Sequence, residues 1–320
     1  MHIVLNQQGR DPFCDYRGGY PGPETTEHPP INYHAYAACT QGCFCQTVEQ
    51  VLDLPPAPVI VLVRNKLKPV ARALRILKAA KRRTYLCFKE TGIHQLHPLL
   101  SHWPRLQELA ALADGGIAPT DYALLLLRAL FPEKPAELLP TPYPFHDPRW
   151  QTRTPWTSHS GVLIGTTEFE VTNRRHLAAI LSAREVCRQN GEILRVIARR
   201  LPKPVRDLLS NDPNIEILPG PLPYFEFRKQ LERVKVVFQL DASQVPGQVA
   251  GDSFLVGTPC LGGNSTIESL LLEPSQDPLS MLDQLLRAPD TWSEVVNHGL
   301  ERAKQTLSFP VLAKRLQGMG

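Results

Sequence analysis

The sequence has 320 residues, of which 42% are hydrophobic and 21% charged. This composition excludes a disordered chain, and the length exceeds what a single hydrophobic core usually supports. Its formal net charge is only +4, and its apolar runs are far shorter than a membrane span. The amino terminus lacks the basic start and cleavage site of a signal peptide, and the seven cysteines are odd in number, which favours reduced thiols. We therefore expect two domains in a cytoplasmic protein.

The first half of the chain alternates strand-like and helix-like segments. Apolar or β-branched strands are predicted at residues 2–5, 59–63, 84–88, 116–118 and 136–139. Helical periodicity starts at residue 67, covers about 97–113, and returns over 122–130. Strands separated by helices of this length indicate parallel βαβ units.

A polar, proline-containing stretch at residues 148–156 interrupts this alternation and is predicted to be a linker. Strands are then predicted at 162–165, 192–197, 215–218, 236–240 and 259–261. Helices are predicted at 173–190, 205–210, 224–234, from about 247, at 278–287, and from 291 onward. The sequence therefore predicts an α/β protein with two doubly wound domains, which bind ligands at the carboxyl ends of parallel strands.

Four segments resemble the glycogen-synthase-like glycosyltransferases of GT-B fold (glycosyltransferase family 4-like). Residues 218–227 (LPGPLPYFEF) resemble the family's glycine turn and helix ahead of the donor loop. Residues 252–263 (DSFLVGTPCLGG) resemble its Glu-Ala-Met-Ala-Cys-Gly-Thr-Pro-Val-Val segment. Residues 301–316 (ERAKQTLSFPVLAKRL) resemble its closing helix, and residues 139–147 (LPTPYPFHD) lie where the family has a turn before the linker.

The resemblance implies two Rossmann-like domains facing each other across a cleft, with a C-terminal helix that crosses back to the first domain. It places an acceptor domain at residues 1–147, the linker at 148–156, a nucleotide-sugar donor domain at 157–300, and the returning helix at 301–320. The implied activity is transfer of a sugar from a nucleotide-diphosphate sugar to an unidentified acceptor. A sugar-nucleotide epimerase of the same fold and an inactive relative that serves as a binding or scaffold protein are the alternatives.

The donor contacts are expected in the second domain. A helix that begins after Gly247 would direct free backbone N–H groups at a diphosphate. The family's Glu-x7-Glu pair falls on Gln244 and Asp252. An amide therefore replaces the first carboxylate, and a shorter acid replaces the second. Asp252 would bind the ribose, or it is only a first-turn acid favoured by the helix dipole. The loop after residue 261 offers further hydrogen-bonding groups or is an ordinary glycine-rich turn; its candidate donor contacts are Gly262, Gly263, Asn264, Ser265 and Thr266. The family's basic diphosphate contacts have no clear match.

The candidate catalytic residues follow the strand at 84–88. Glu90 and His94 are expected at the cleft, where either could accept the proton of an acceptor hydroxyl. Lys89 could neutralise a phosphate. The alternative is that His94 is only a polar loop residue.

Two polar clusters follow the first strand, where the family has its acceptor-side glycine loop. Arg10 and Arg17, with Gly18 and Gly19, are candidate contacts to an anionic acceptor or to the donor phosphates. A surface loop without a ligand is the alternative.

The sequence predicts neither a metal site nor a cofactor. Cys39, Cys43 and Cys45 lack the paired spacing of a zinc site. No Asp-x-Asp motif is present, which favours neutralisation of the diphosphate by helix termini and basic side chains.

A basic helix is predicted after the strand at 59–63. Nine basic residues and no acid lie between Arg64 and Arg83. Lys68, Arg72, Arg75 and Lys78 would share one face of this helix. The face is either an ordinary solvated surface or binds an anionic membrane, on which the protein would be peripheral. Nucleic acid is not expected, because aromatic residues for base stacking are missing from this stretch.

Overall fold

The structure is a computed structural model that describes residues 1–9, 11–25, 28–273 and 277–319, with backbone alone at Thr166 and Thr167. The chain forms two compact units. The first unit comprises Met1–Pro144, Gln244–Pro246 and Thr306–Gly320, and the second comprises Phe145–Ser243 and Gly247–Gln305.

Among the described residues, the first unit contains a sheet of seven strands. The strands are β1 (Ile3–Leu5), β2 (Cys14–Asp15), β3 (Cys43–Cys45), β4 (Val59–Val63), β5 (Thr84–Phe88), β6 (Gly115–Ala118) and β7 (Ala136–Leu138). Its helices are α1 (His34–Cys39), α2 (Val48–Leu52), α3 (Leu67–Ala79), α4 (Ile93–Leu96), α5 (Trp103–Leu112), α6 (Asp121–Leu130) and, near the C-terminus, α14 (Phe309–Gly318).

The strand order of this sheet is β2-β3-β1-β4-β5-β6-β7, and every neighbouring pair is parallel except β2 with β3. β4 is buried at all five positions because helices cover both faces of such a sheet. The direction of strand addition reverses between β1 and β4, which makes the loops after these two strands the topological switch point.

The two faces of the sheet bury different sets of side chains. Leucines of α3, α5 and α6 pack on one face. The final helix, α14, packs on the other face, where Phe309, Leu312 and Leu316 join the cluster around Val4 and Tyr36. The expected return of the C-terminal helix to the first domain is thus observed as packing inside one hydrophobic core.

The second unit contains five described strands in a parallel sheet. The strands are β8 (Val162–Thr167), β9 (Leu194–Ala198), β10 (Ile215–Pro219), β11 (Val236–Phe238) and β12 (Cys260–Leu261). Its helices are α7 (His176–Asn190), α8 (Lys203–Ser210), α9 (Tyr224–Arg233), α10 (Gln248–Leu255), α11 (Thr266–Leu271), α12 (Pro278–Arg287) and α13 (Pro289–Thr306). The strand order is β10-β9-β8-β11-β12, so the switch point lies between β8 and β11.

The stretch at residues 148–156, predicted to be a linker, is packed in the second unit. Trp150 is fully buried, and the guanidinium of Arg228 lies over its ring at 5.7 Å. Trp156 donates a hydrogen bond from Nε1 to the carbonyl of Leu285 at 3.2 Å.

The predicted fold class, α/β with two doubly wound parallel sheets, is confirmed. None of the described helices combines the length and apolar character needed to cross a membrane.

Candidate active site

In the first unit, the two loops at the switch point are joined by Gln8. Its side-chain amide donates to the carbonyl of Lys66 at 2.7 Å and accepts from the amide of Lys66 at 3.0 Å. Arg64 Nη1 donates to the carbonyl of Gln8 at 3.3 Å. The loops after β1 and β4 are therefore held together at one edge of the sheet.

Lys89 follows β5 and points to the same edge. Its Nζ lies 2.6 Å from Oδ2 of Asp11, which also accepts a hydrogen bond from Asn6 Nδ2 at 2.7 Å. Burial raises the pKa of Asp11, but the hydrogen bond and charge of Lys89 outweigh it, so that the pKa lies below its ordinary value. The charge of Lys89 is thus already balanced by Asp11 before any phosphate binds.

Glu90 and His94 are both half-buried at the carboxyl end of β5. Glu90 forms an ion pair with Arg64. The His94 ring folds back over Gly92, where an added Cβ would lie 2.8 Å from His94 Cε1. Their roles as proton acceptors stay predictions.

The predicted acceptor loop borders a cavity of about 660 Å³. Gly18 and Gly19 are among its lining residues, together with Tyr20 and His28. Arg17 pairs with Asp15, at 2.6 Å between Nη2 and Oδ2, so its charge is partly compensated. Arg10 lies outside the described residues.

The three cysteines considered as metal ligands are free thiols. Cys43 and Cys45 are buried in β3, and burial raises the pKa of their thiols to about 11 and about 12. Burial raises the pKa of Cys39 as well. These side chains belong to the core as neutral thiols.

In the second unit, Asp241 organises the loops at the switch point. Its Oδ1 accepts from the amide of Ser243 at 2.7 Å, and its carbonyl accepts from the amide of Asn264 at 3.0 Å. The next residue, Ala242, donates to the carbonyl of Asn173 at 2.9 Å. The segments that follow β8, β11 and β12 are therefore joined.

Arg174 lies at this junction, where two acids partly compensate its charge. Its Nε lies 3.1 Å from Glu168 Oε2 and 4.0 Å from Asp241 Oδ2. It precedes Arg175, the N-cap of α7, and this helix has neither a side-chain cap nor an acid in its first turn. The free N–H groups of such a terminus attract anions.

The helix α10 begins at the same edge. Its N-cap is Gly247, with φ of 85°, and it too lacks a side-chain cap and a first-turn acid. Val249 in its first turn lies beside Gly165 of β8, where an added Cβ would be 3.7 Å from Val249 Cγ1. An added Cβ on Gly247 would lie 1.9 Å from Ser265 Oγ, so this position accepts only glycine.

The predicted glycine-rich loop lines a second cavity, of about 260 Å³, through Gly262, Gly263 and Asn264. Glu268 also lines it, and its Oε1 accepts from the amide of Gly263 at 2.8 Å. Ser265 Oγ accepts from the amide of Glu268 and so caps α11. Ser265 and Thr266 are both buried.

Asp252 and Gln244 occupy different settings. Asp252 is buried in α10, and its Oδ1 accepts a hydrogen bond from the Tyr224 hydroxyl at 3.2 Å. Burial raises the pKa of Asp252 to about 7. Gln244, with φ of 54°, belongs to the segment assigned to the first unit.

Solved structures share this arrangement of the chain. HepE from Anabaena in complex with UDP matches with a TM-score of 0.60 and 11% identity, over 85% of this chain and 79% of HepE. The chain has the GT-B fold. A TarM variant from S. aureus, in a complex that contains UDP, matches with a TM-score of 0.62 and 11% identity, over 89% of this chain and 58% of TarM.

The same GT-B fold is found in a protein described as a UDP-N-acetylglucosamine 2-epimerase from Listeria monocytogenes. It matches with a TM-score of 0.53 and 15% identity, over 84% of this chain and 75% of that protein. No protein-family model matches the sequence, and no curated protein is significantly similar to it. At these identities, the likeness establishes the fold.

The GT-B fold also brings together residues that the sequence analysis missed. Arg174, Asp241 and Glu268 lie at the switch-point edge of the second sheet. No local pattern in the sequence marks them, because Arg174 falls inside the helix predicted at 173–190 and the three residues belong to separate segments.

Proposed function

We propose that the protein is a glycosyltransferase that binds a nucleotide-diphosphate sugar at the switch point of the second unit. The observation that carries the proposal is the convergence there of Arg174 with the uncapped starts of α7 and α10. A cation and two sets of free N–H groups suit a diphosphate. Two of the solved structures with this fold contain UDP.

In this proposal, the diphosphate is neutralised by Arg174 and the two helix termini without a metal ion or other cofactor. The ribose is bound by Asp252 through the carboxylate oxygen that Tyr224 does not engage, and the donor contact of Gln244 stays a prediction. Gly262, Gly263 and Asn264 line the cavity that receives part of the donor, and Asn264 supplies a side-chain hydrogen bond.

The acceptor is proposed to bind at the carboxyl ends of the first sheet. The cavity beside Gly18 and Gly19 is large enough for a sugar ring or a lipid-linked sugar headgroup. Glu90 or His94 would accept the proton of the attacking hydroxyl, and Lys89 or Arg17 would contact an anionic acceptor. Each ion pair, Glu90 with Arg64 and Lys89 with Asp11, would then have to open or tilt when the acceptor binds.

A panel of nucleotide-diphosphate sugars tests this proposal. Incubation of each with the protein, followed by separation of sugar, nucleotide and epimer, distinguishes three outcomes. Release of free nucleotide diphosphate supports a transferase. Interconversion of the sugar with the donor intact supports an epimerase, and binding without turnover supports an inactive relative.

We predict that Arg174→Gln weakens the binding of nucleoside diphosphate by roughly 10- to 150-fold, because a charge-assisted hydrogen bond contributes about 1.5–3 kcal/mol. The measurement is calorimetric titration of UDP and GDP. Arg188→Gln is the matched control, because Arg188 lies on the exposed face of α7, paired with Glu185. Equal affinities of the two variants would remove Arg174 from the site.

We also propose that the basic helix α3 binds anionic membranes. Lys68, Arg72 and Lys78 are exposed and, among the described residues, take part in no ion pair, whereas Arg75 pairs with Glu108. Lys68 and Arg72 border a cavity of about 410 Å³. The positive face is therefore open to an anionic headgroup.

We predict that the protein co-sediments with vesicles containing anionic lipid at low salt and less at high salt. Changing Lys68, Arg72, Arg75 and Lys78 together to Glu should abolish sedimentation, since each basic residue near the surface contributes about 1 kcal/mol. A control with the same change of charge replaces Arg199, Arg200, Lys203 and Arg206 by Glu. If both variants behave like the wild type, α3 is an ordinary solvated face.

A further inference from the structure

A cluster of metal-ligating side chains lies in the first unit, apart from the residues assigned above to the donor. Asp11 follows β1, His28 lies in the loop before α1, and His34 is the first residue of α1. One carboxylate oxygen of Asp11 and one ring nitrogen of each histidine all lie within 4.8 Å of one another. The fold gathers three potential ligands from three local segments: the loop after β1, the loop before α1 and the start of α1.

His34 is fixed in place and has one nitrogen without a partner. It is only 2% exposed, and its ring stacks on Phe44 with 3.6 Å between centroids. Its Nδ1 lies 2.9 Å from the Tyr16 hydroxyl. Its Nε2 is buried and has no hydrogen-bond partner. A buried polar atom left in this state costs about 1–3 kcal/mol, a cost that a bound ligand would remove.

His28 also has one ring nitrogen engaged. Its Nδ1 lies 3.1 Å from the carbonyl oxygen of Pro29, which can only accept, so Nδ1 is the donor and Nε2 is the nitrogen that would bind a metal ion. In histidines that bind metal ions, a hydrogen bond from the other ring nitrogen to a carbonyl fixes the tautomer in the same way.

Asp11 is oriented by its neighbours. Asn6 and Lys89 both donate to Oδ2, and among the described residues no hydrogen bond engages Oδ1. A carboxylate accepts more than two interactions, so Asp11 could bind an ion through Oδ1 and keep both neighbours. The charge of Lys89 opposes a cation, and its pairing with Asp11 moderates that effect.

We propose that Asp11, His28 and His34 bind a divalent transition-metal ion of the zinc class. Two imidazoles and one carboxylate form a donor set that Zn²⁺ accepts, and three protein ligands leave a further position open. Tyr16 and His28 also line the cavity of about 660 Å³. The open position therefore faces this cavity and binds a water molecule or an acceptor oxygen.

Metal binding requires one local movement. The His28 and His34 rings are stacked, with centroids 3.8 Å apart and planes 20° apart, whereas a metal ion lies close to the plane of each ring that binds it. His34 is held between Phe44 and Tyr16. The half-buried His28 is therefore the ligand that leaves the stack when the ion binds.

The test uses untagged, chelator-stripped protein and Zn²⁺ or Co²⁺ alone, without any sugar donor. We expect one Zn²⁺ per chain by calorimetry and metal analysis, and Co²⁺ absorption typical of nitrogen and oxygen ligands. His28→Ala should weaken binding at least about tenfold, and Asp11→Asn should weaken it as well. His102→Ala, at an exposed histidine, should bind like the wild type.

The result does not depend on the proposed transferase activity, because the readout is metal binding. Circular dichroism checks that each variant is folded, and the half-buried His28 is replaced in preference to the buried His34 for this reason. The proposal is overturned if the wild type binds no Zn²⁺, or if His28→Ala binds as tightly as His102→Ala. A thiolate-to-cobalt absorption band would assign the ion to the cysteines and overturn it too.

Such a site departs from the expectation of no metal. That expectation came from the cysteine spacing and from the missing Asp-x-Asp motif, and neither feature involves Asp11, His28 or His34. The proposed ion lies in the first unit, so the metal-free neutralisation proposed for the donor diphosphate is unaffected.

Discussion

Gly262→Ala is expected to destabilise the second unit by roughly 2–5 kcal/mol. Gly262 has φ of 97°, and an added Cβ would lie 2.0 Å from the carbonyl oxygen of Gln239. A left-handed conformation costs an alanine about 1–2 kcal/mol, and overpacking adds about 1–3 kcal/mol. The clash is with backbone, so β12 must shift away from β11. Urea unfolding measures the loss of stability.

Gly191→Ala is the matched control. Gly191 also has positive φ, of 65°, but an added Cβ would meet nothing within 4 Å. The Gly191→Ala variant should therefore lose only the stability that the left-handed backbone conformation costs an alanine, about 1–2 kcal/mol. Hydrogen exchange locates the effect, because Gln239 donates to the carbonyl of Leu261 at 2.9 Å and this amide should exchange faster in Gly262→Ala alone. Equal losses in the two variants would mean that the loop relaxes freely.

The strands of both sheets were largely predictable because a parallel strand covered on both faces is a short, continuous apolar run. Val59–Val63 has the bounds that the pattern predicts, and β12 (Cys260–Leu261) lies within the strand predicted at 259–261. β2 and β3 were missed. β3 has only three residues, Cys43–Cys45. Its cysteines were considered only as metal ligands, and their place in the core was not predicted.

Helix boundaries were less predictable where proline removes a backbone N–H. The single helix predicted at about 97–113 is a 3₁₀ segment (His97–His102) followed by α5, with Pro98 and Pro104 near their starts; the short helix α4 precedes them. The helix predicted from residue 291 is likewise two helices, α13 and α14, separated at Leu307 and Ser308. Periodicity alone does not register these interruptions.

The candidate site was only partly predictable, because long-range contacts decide which polar side chains meet. The loop at residues 262–266 could be placed after a strand, and it does line a cavity. Asp252 was predicted to bind the ribose, with a solvated first-turn acid as the alternative; it lies beyond the first turn of α10 and is buried against Tyr224. Arg174 and Asp241 belong to different loops, and the cluster of Asp11, His28 and His34 depends on three separate segments, so no local pattern marks either group.

We expect Glu268→Gln to stabilise the protein increasingly as the pH rises from about 5 to 8. Burial, opposed by the Gly263 amide and reinforced by Asp241, raises the pKa of Glu268 from 4.5 to about 7. Between these values the folded state binds more protons than the unfolded state, so wild-type stability falls with rising pH. The free energies of unfolding of the variant and the wild type should therefore differ by roughly 3 kcal/mol above pH 7. Urea unfolding of both proteins at several pH values measures it.

Glutamine keeps the oxygen that accepts from Gly263, so the loop geometry should survive while the buried charge is removed. Below about pH 4.5 the carboxyl group is protonated in both states, and the two proteins should differ little. The control is Glu294→Gln, because Glu294 is an exposed acid of α13 and its replacement should shift stability by the same small amount at every pH. If the stability difference between Glu268→Gln and the wild type were equally independent of pH, Glu268 would ionise as readily in the folded protein as in the unfolded chain. Water would then have to reach it through the cavity lined by Gly262 and Gly263.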